Sequence, residues 1–445
     1  MSETDATHDP ARRSFVETAN LAGADFPLQN LPFGIFRRRS DKVGRGGVAI
    51  GDRIFDLAAA RDAALFSGLA EEAAIAASGP KLNALMALGN HAAAALRARL
   101  CDLLDAEGTD RGQVQGMAER LLVAMREAVM ELPAAVGDFS DFLTSSFHSE
   151  RLSASGKVSA NFKSMPIAYH SRASSVRVSG AAVKRPHGQW LDEQGVPRFG
   201  PTKALDYELE LGAFIGPGNA LGEPVPLDDA RRHIFGYCLL NDWSVRDVQR
   251  FEAVPLGPFL AKSLSTSISP WVITEAAMRP FRTAAFARSP QDPAPLPYLA
   301  SDRERESGGY DLELRASLLT QRMRESRQEP ELITTTNFRH MYWTFAQMLT
   351  HHASNGCNLM PGDIIGSGTT SGPSDESRAC LAEITSRGTK PLTLLNGEKR
   401  GWLEDGDEVI FTARAERRGF ISIGFGECRG MISPAVEWPG STHHR

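Results

Sequence analysis

KALDYELELGAFI, residues 203–215, alternates with a period of two: Asp206, Glu208 and Glu210 fall on one side, and Leu205, Tyr207, Leu209 and Leu211 on the other. Successive side chains of a β-strand point to opposite faces, so the stretch predicts a strand with a carboxylate face and an apolar face backed by a core. Carboxylates two residues apart on one face repel each other unless a cation or a cationic side chain sits between them, or the face is wet. A second stretch, YDLELRASL at 310–318, provides the contrast. Its polar face carries Asp311, Glu313 and Arg315, whose charges offset one another in solvent, and it reads as surface. The 206–210 face has no interleaved base and runs into Gly212, Ala213, Phe214 and Ile215, an apolar continuation that favours burial and a bound metal over a solvated face.

The chain around this stretch has 445 residues, 42% hydrophobic and 23% charged, enough for two or three domains with sizeable cores. A net charge of −5 and a single short basic run, Arg37 to Arg39, leave no electrostatic footprint for nucleic acid or an anionic membrane. Cys101, Cys238, Cys357, Cys380 and Cys428 are odd in number, scattered and never in Cys-x-x-Cys spacing. They argue against a disulfide framework or a zinc knuckle and fit a reducing compartment. The start, MSETDATHDPARRS, lacks the apolar core of a signal peptide, and no apolar run nears the roughly 18 residues of a membrane span, so a cytoplasmic protein is expected.

In chain order, residues 1 to about 25 read as a polar, weakly ordered start. LPFGIFRRR and GRGGVAIGDRIFDLAAA read as short strands around a glycine turn. Alanine-rich sequence from Leu57 to Leu104 and a pattern from Gln113 to Leu132 read as helical, closing a small N-terminal domain at residues 1–132. Pro133 to Gly137 reads as a linker. Residues 133–445 turn to strands, at Ser175–Ser179, Leu205–Ile215, Tyr310–Leu318, Cys380–Ser386, Glu408–Ala413 and Phe420–Phe425, with helices at Trp243–Phe251 and Phe338–Ser354. The fold class is mainly β, of the α+β kind.

Five places carry chemistry. GDFSDFLTSSFH, 137–148, sets Asp138 and Asp141 before a lone His148, and either aspartate also suits a turn. LLNDWSVRDVQ, 239–249, passes from an apolar strand into a helix at Asp242. Asp242 suits a helix cap, but Arg246 and Gln249 follow at four and seven residues, so cation ligand, fixed positive charge and amide would share one helical face. FLAKSLSTSISP places Lys262 in apolar surroundings that call for a carboxylate or ligand partner. GSGTTSG, 366–372, lacks the lysine and spacing of a nucleotide loop, yet its amides and Thr369 suit a carboxylate. Glu383 stands alone in CLAEI and needs a partner, which a histidine would provide. His351 and His352 are neighbours on a helix, about 100° apart, and are not expected to share an ion.

NDWSVRDVQ, VPLGPFLAKS, SISPWV, YHSRASSVRVSG, MLTHHASNGCNL and PGDIIGSGTTSG together resemble the fumarylacetoacetase family, from about Leu31 to Pro434. The resemblance implies an N-terminal SH3-like barrel and a larger C-terminal mixed β-roll that forms a homodimer. It implies hydrolysis of the carbon–carbon bond of fumarylacetoacetate to fumarate and acetoacetate, at the end of tyrosine and phenylalanine breakdown. A related hydrolase for another acylated β-keto or dioxo acid is the alternative, followed by an oxo-acid decarboxylase or isomerase of the wider superfamily. The family's ligands for calcium or magnesium fall on Asp141, Glu208, Glu210 and Asp242, with a second cation position on Asp242, Lys262 and Thr266. Its general base falls on His148 and the orienting carboxylate on Glu383. Arg246, Gln249 and Lys262 match groups that polarise the attacked carbonyl, and Tyr169 and Thr369 match substrate contacts. Three pocket positions depart: two family tyrosines are Leu143 and Ala253, and the family's substrate arginine is at best Lys157. Fewer hydroxyls and no bidentate guanidinium there imply a weaker grip on a dicarboxylate and a shift in the preferred diketone acid.

Overall fold

A computed structural model describes residues 4–439. The 203–215 stretch forms two strands, Leu205–Asp206 and Leu209–Ile215, interrupted at Tyr207 and Glu208. The single strand expected there is broken because its two ends take different partners. Leu205–Asp206 pairs with Ser244–Val245, whereas Leu209–Ile215 pairs with Ile234–Asp242 on one side and Ile364–Gly366 on the other. At the break the side chain of Asn241 accepts the Glu208 amide at 3.2 Å, replacing a ladder bond. Every residue of Leu209–Ile215 is buried, so neither face of this strand is a solvated one.

Leu209–Ile215 and Ile234–Asp242 are the middle strands of an eight-stranded sheet. Its order is Ile167–His170, Phe139–Leu143, Ile364–Gly366, Leu209–Ile215, Ile234–Asp242, Thr266–Ile268 and Val176–Val178, with Ile273–Thr274 paired beside Ile234–Asp242. On one face Leu209, Leu211, Ala213 and Leu239 pack into the larger core. That core is shared with a five-stranded sheet built on Leu312–Leu319, Glu408–Ala415 and Ile423–Ser433. The other face is divided along its length. Asp141, Glu210 and Asp242 lie at one end, while Phe139, Phe214 and Leu240, an even number of residues away on the same strands, join a second core with the N-terminal region.

In the N-terminal region, five strands run in the order Leu122–Ala124, Arg53–Asp56, Arg45–Ile50, Phe33–Arg38, Ala128–Glu131. Leu57–Asp62, Gly68–Ala77 and Asn83–Leu104 are the alanine-rich helices. The helical pattern expected over 113–132 holds only to Leu121; beyond it Leu122–Ala124 and Ala128–Glu131 become strands, either side of a short turn at Met125–Glu127, because Arg53–Asp56 and Phe33–Arg38 offer open ladders. Residues 4–25 are not a loose start: His8 Nε2 lies 2.8 Å from the Ala276 carbonyl, and Arg12 Nε donates to Asp105 at 2.7 Å. The 133–137 segment is packed rather than free, with Pro133 accepting the Leu82 amide at 2.8 Å and Asn83 holding Ala135.

Further elements differ from the sequence pattern. Cys380–Ser386 is not a strand: Leu381–Ile384 is a helical turn whose amides at Leu381 and Ala382 donate to the Asp206 carboxylate. The helix expected from Trp243 begins at Arg246, because Ser244–Val245 is held as a strand, so Asp242 ends a strand and caps no helix. The 338–354 helix is divided into a short turn, Phe338–His340, and Phe345–Ala353, which restarts at a capping box between Thr344 and Gln347. The polar face of the 310–318 stretch is surface as expected, with Glu313 and Arg315 paired at 2.7 Å, but the strand is broken at Asp311: Tyr310 pairs with Arg282 and the longer strand is Leu312–Leu319.

Candidate active site

Four segments deliver carboxylates to one point. Asp141 comes from Phe139–Leu143, Glu208 from the strand break, Glu210 from Leu209–Ile215 and Asp242 from the end of Ile234–Asp242. One oxygen from each of the four lies within 4.8 Å of the others, and all four residues are buried. Asp206, grouped with Glu208 and Glu210 by the alternation, is separated from them by the strand break and bonds Arg246 and the 381–384 turn instead.

Two cations lie in the cluster. Lys262 Nζ donates to Glu208 Oε2 at 2.6 Å and to Asp242 Oδ2 at 2.7 Å. Arg246 pairs with Asp206 at 2.8 Å and with Glu208 at 2.7 Å, and its Nη1 donates to Gln249 Oε1 at 3.1 Å. Burial would raise the Glu208 pKa, but Lys262 and Arg246 hold it below the usual carboxylate range. Burial would lower Lys262, and Asp242 with Glu208 outweigh it and keep the amine an ammonium. Asp141 and Glu210 fare differently. Burial, with the neighbouring carboxylates, pushes both well above the usual range, and among the described residues Asp141 Oδ1 and Glu210 Oε1 have no hydrogen-bond donor. Two buried, donorless oxygens aimed into an acid cluster fit a hard cation with oxygen ligands.

The glycine-rich loop builds one wall of this cradle. The Gly368 amide donates to Glu210 Oε2 at 3.0 Å, so the carboxylate expected on this loop is one of the protein's own. Gly368 has φ +74°, and a Cβ there would lie 2.1 Å from the Phe142 carbonyl; a Cβ at Gly366 would lie 2.4 Å from Asp141 Oδ1. Tyr169, expected as a substrate contact, also reaches the acids, its hydroxyl 2.7 Å from Asp141 and 2.6 Å from Asp242. At the second cation position implied for Asp242, Lys262 and Thr266, the lysine side chain is not available as a ligand atom. An ammonium has no lone pair, so Lys262 Nζ takes the place of a cation there, and Thr266 Oγ1 stands 3.5 Å from Asp242.

Beside the cradle is a base. Ser145 caps the helix Ser146–Leu152 by accepting the His148 amide, which fixes His148 in the first turn. His148 Nδ1 lies 2.6 Å from Glu383 Oε1. Ser371 Oγ donates to the same oxygen at 2.5 Å, and Arg151 Nη1 donates to Oε2 at 3.0 Å. Burial opposes ionisation of Glu383, but His148, Ser371 and Arg151 hold its pKa down at about 2. An ionised carboxylate only accepts, so Nδ1 carries the hydrogen and Nε2 presents its lone pair. Arg151 and Ser371 were not singled out in the sequence; Arg151 follows His148 by one helical turn, which was the available signal.

Cradle and base open onto one cavity of about 700 Å³. Asp141, His148, Tyr169, Glu208, Arg246, Gln249, Lys262 and Thr369 line it, as do Leu143, Lys157 and Ala253. Glu210, Asp242, Thr266 and Glu383 are buried behind that lining. Lys157 is exposed at the rim. His351 and His352 serve elsewhere, against Tyr298 and Ser140.

A carboxylate cradle for a hard cation, adjoining a histidine oriented by a glutamate, is the equipment of cation-assisted hydrolases. The family description "Fumarylacetoacetate (FAA) hydrolase C-terminal" matches residues 139–433, and "Fumarylacetoacetase N-terminal" matches residues 29–133. Fumarylacetoacetase of Oryza sativa subsp. japonica is 43% identical over 433 residues, spanning 95% of this chain and 98% of that protein. The Bos taurus protein of that name is 44% identical over 432 residues, 96% of this chain and 100% of its own length. The Homo sapiens protein is 42% identical over 430 residues, 95% and 99%. The chain belongs to the fumarylacetoacetase family.

Proposed function

We propose that this protein hydrolyses the carbon–carbon bond of fumarylacetoacetate to fumarate and acetoacetate, the last step of tyrosine and phenylalanine breakdown. The observation that carries the reading is the His148–Glu383 pair opening onto the same cavity as the four-carboxylate cradle, in a chain whose full-length relatives bear the name fumarylacetoacetase. Asp141, Glu208, Glu210 and Asp242 would hold a calcium or magnesium ion. When bound, that ion supplies positive charge to the diketone oxygens and the departing enolate.

His148 Nε2 takes a proton from water, whose hydroxyl adds to the carbonyl carbon of the fumaryl group, the ketone carbon bonded to the alkene. Glu383, ionised at neutral pH, stabilises the imidazolium that forms. Lys262 has committed two of its three N–H groups to Glu208 and Asp242, which leaves one for the developing oxyanion. Gln249 Oε1 is engaged by Arg246, so its amide N–H groups remain for the substrate. The bond to the methylene carbon then breaks, its electron pair passes to the acetoacetate enolate, and that carbon takes the proton held by the His148 imidazolium, which restores the base.

A homodimer formed through the C-terminal β-roll, a cytoplasmic location and an SH3-like N-terminal barrel accompany this reading. The five unpaired cysteines support the cytoplasm, a reducing compartment. The test is to incubate the protein, with magnesium or calcium, with fumarylacetoacetate and to follow loss of the enol absorbance together with both acids. Absence of turnover, or release of carbon dioxide in place of two acids, refutes the reading.

A further inference from the structure

We propose that Arg387 receives the carboxylate at the far, fumaryl end of the substrate; the inference rests on the function proposed above. Five cationic side chains line the cavity: Lys157, Arg246, Arg250, Lys262 and Arg387. Arg246 and Lys262 are committed to Asp206, Glu208 and Asp242. A substrate with a second carboxylate remote from its diketone brings a charge that one of the other three must meet. Leu143 and Ala253, on the cavity wall, add no donor.

Arg387 is exposed, as Lys157 and Arg250 are, but differs from them in being anchored. Ser386, Arg387 and Gly388 all have positive φ, +48°, +59° and +79°, a left-handed run that reverses the chain directly after the turn bearing Glu383. Serine and arginine enter that region reluctantly, so the conformation is imposed by the surroundings. Arg387 Nη2 then donates to the Leu152 carbonyl at 2.6 Å, and Leu152 ends the helix bearing His148. Arg387 thus springs from the end of the Glu383 turn and touches the end of the His148 helix. A carboxylate held there is tied to the two elements that carry the base and its orienting glutamate. Among the described residues no carboxylate pairs with Arg387, and one hydrogen bond leaves most of the guanidinium's donors for a ligand. A guanidinium already fixed in place loses less freedom on binding than a mobile lysine.

The test compares fumarylacetoacetate with 3,5-dioxohexanoate, which keeps the diketone and its near carboxylate and ends in a methyl group. Arg387→Asn removes the guanidinium while keeping a residue that tolerates positive φ, so the fold is retained. Wild-type enzyme hydrolyses both compounds. Arg387→Asn lowers kcat/KM for fumarylacetoacetate about 10- to 100-fold, mainly through KM, and changes the value for 3,5-dioxohexanoate less than about 3-fold. Arg387→Lys recovers part of the loss. Equal losses on both compounds, or none on either, overturn this placement of the far carboxylate and leave the hydrolase reading standing. A wild-type enzyme active on 3,5-dioxohexanoate alone overturns the dicarboxylate reading and the inference with it.

Discussion

Replacing Glu383 by glutamine changes one atom and inverts the logic of the base. Glu383 Oε1 accepts from His148 Nδ1 at 2.6 Å and Ser371 Oγ at 2.5 Å, and Oε2 accepts from Arg151 at 3.0 Å. A glutamine must turn its NH2 toward one of these groups. Facing Arg151 it would set donor against a permanent cation, which cannot give up a proton. Facing His148 and Ser371 it meets neutral groups that adapt, since the hydroxyl rotates and the imidazole changes tautomer. The amide therefore turns its NH2 to His148, Nδ1 becomes the acceptor, and Nε2 acquires the hydrogen. An imidazole with Nε2 protonated takes no proton from water. Loss of the correct tautomer in a comparable dyad lowers turnover by about 10³- to 10⁴-fold, or about 4–5.5 kcal/mol of barrier. Steady-state loss of the enol absorbance gives kcat, and ¹⁵N chemical shifts of His148 report which nitrogen carries the hydrogen. Cation affinity by calorimetry stays near wild type, because Glu383 is no part of the acid cradle. A variant within tenfold of wild-type kcat, or one that keeps hydrogen on Nδ1, refutes the reasoning.

His148→Ala abolishes turnover and leaves cation affinity nearly unchanged; matched loss of both in calorimetry and assay would mean that the imidazole serves the ion. Stripping the divalent ion with a chelator makes stability fall as pH rises above the ordinary carboxylate range. The folded cation-free protein holds protons on Asp141 and Glu210 that the unfolded chain has released, at about 1.4 kcal/mol per pH unit for each group still protonated. Urea unfolding at several pH values, with and without calcium or magnesium, checks this, and the slope flattens when the ion is restored. Gly368→Ala forces a Cβ toward the Phe142 carbonyl and strains a φ of +74°, so thermal unfolding should show a loss of about 2–4 kcal/mol together with weaker cation binding through Glu210.

Much of the site was legible because its residue types are hard to explain otherwise. Glu208 and Glu210 lie near each other without an interleaved base, Lys262 stands in apolar sequence, and Glu383 stands alone in the apolar stretch CLAEI. The structure brings these groups together with Asp141, Asp242 and His148. What was not legible depends on the third dimension. Alternation correctly marks a strand at Leu209–Ile215, but it cannot show that Leu205–Asp206 takes another partner, and so it places Asp206 on the wrong side of the break. LVAMREAVME at 122–131 reads as helix from its residue types, and open ladders on two neighbouring strands override that preference. CLAEI is short and apolar, a pattern that fits strand and helix equally; the Asp206 carboxylate at its amides decides for the helical turn. Tyr169 matches a substrate contact by its place in the sequence, and only the fold shows its hydroxyl between two acids.

No described residue of the amino-terminal region lines the cavity, yet that region braces the strands that do. Phe214 and Leu240 press on that region from the same sheet face that carries Glu210 and Asp242 a few residues away. Such an arrangement behaves as a lever with a short arm. A void opened beneath Phe214 or Leu240 would tilt the acid-bearing tips before it unravelled the sheet, and the first symptom would be an ion that leaks away from a protein still folded.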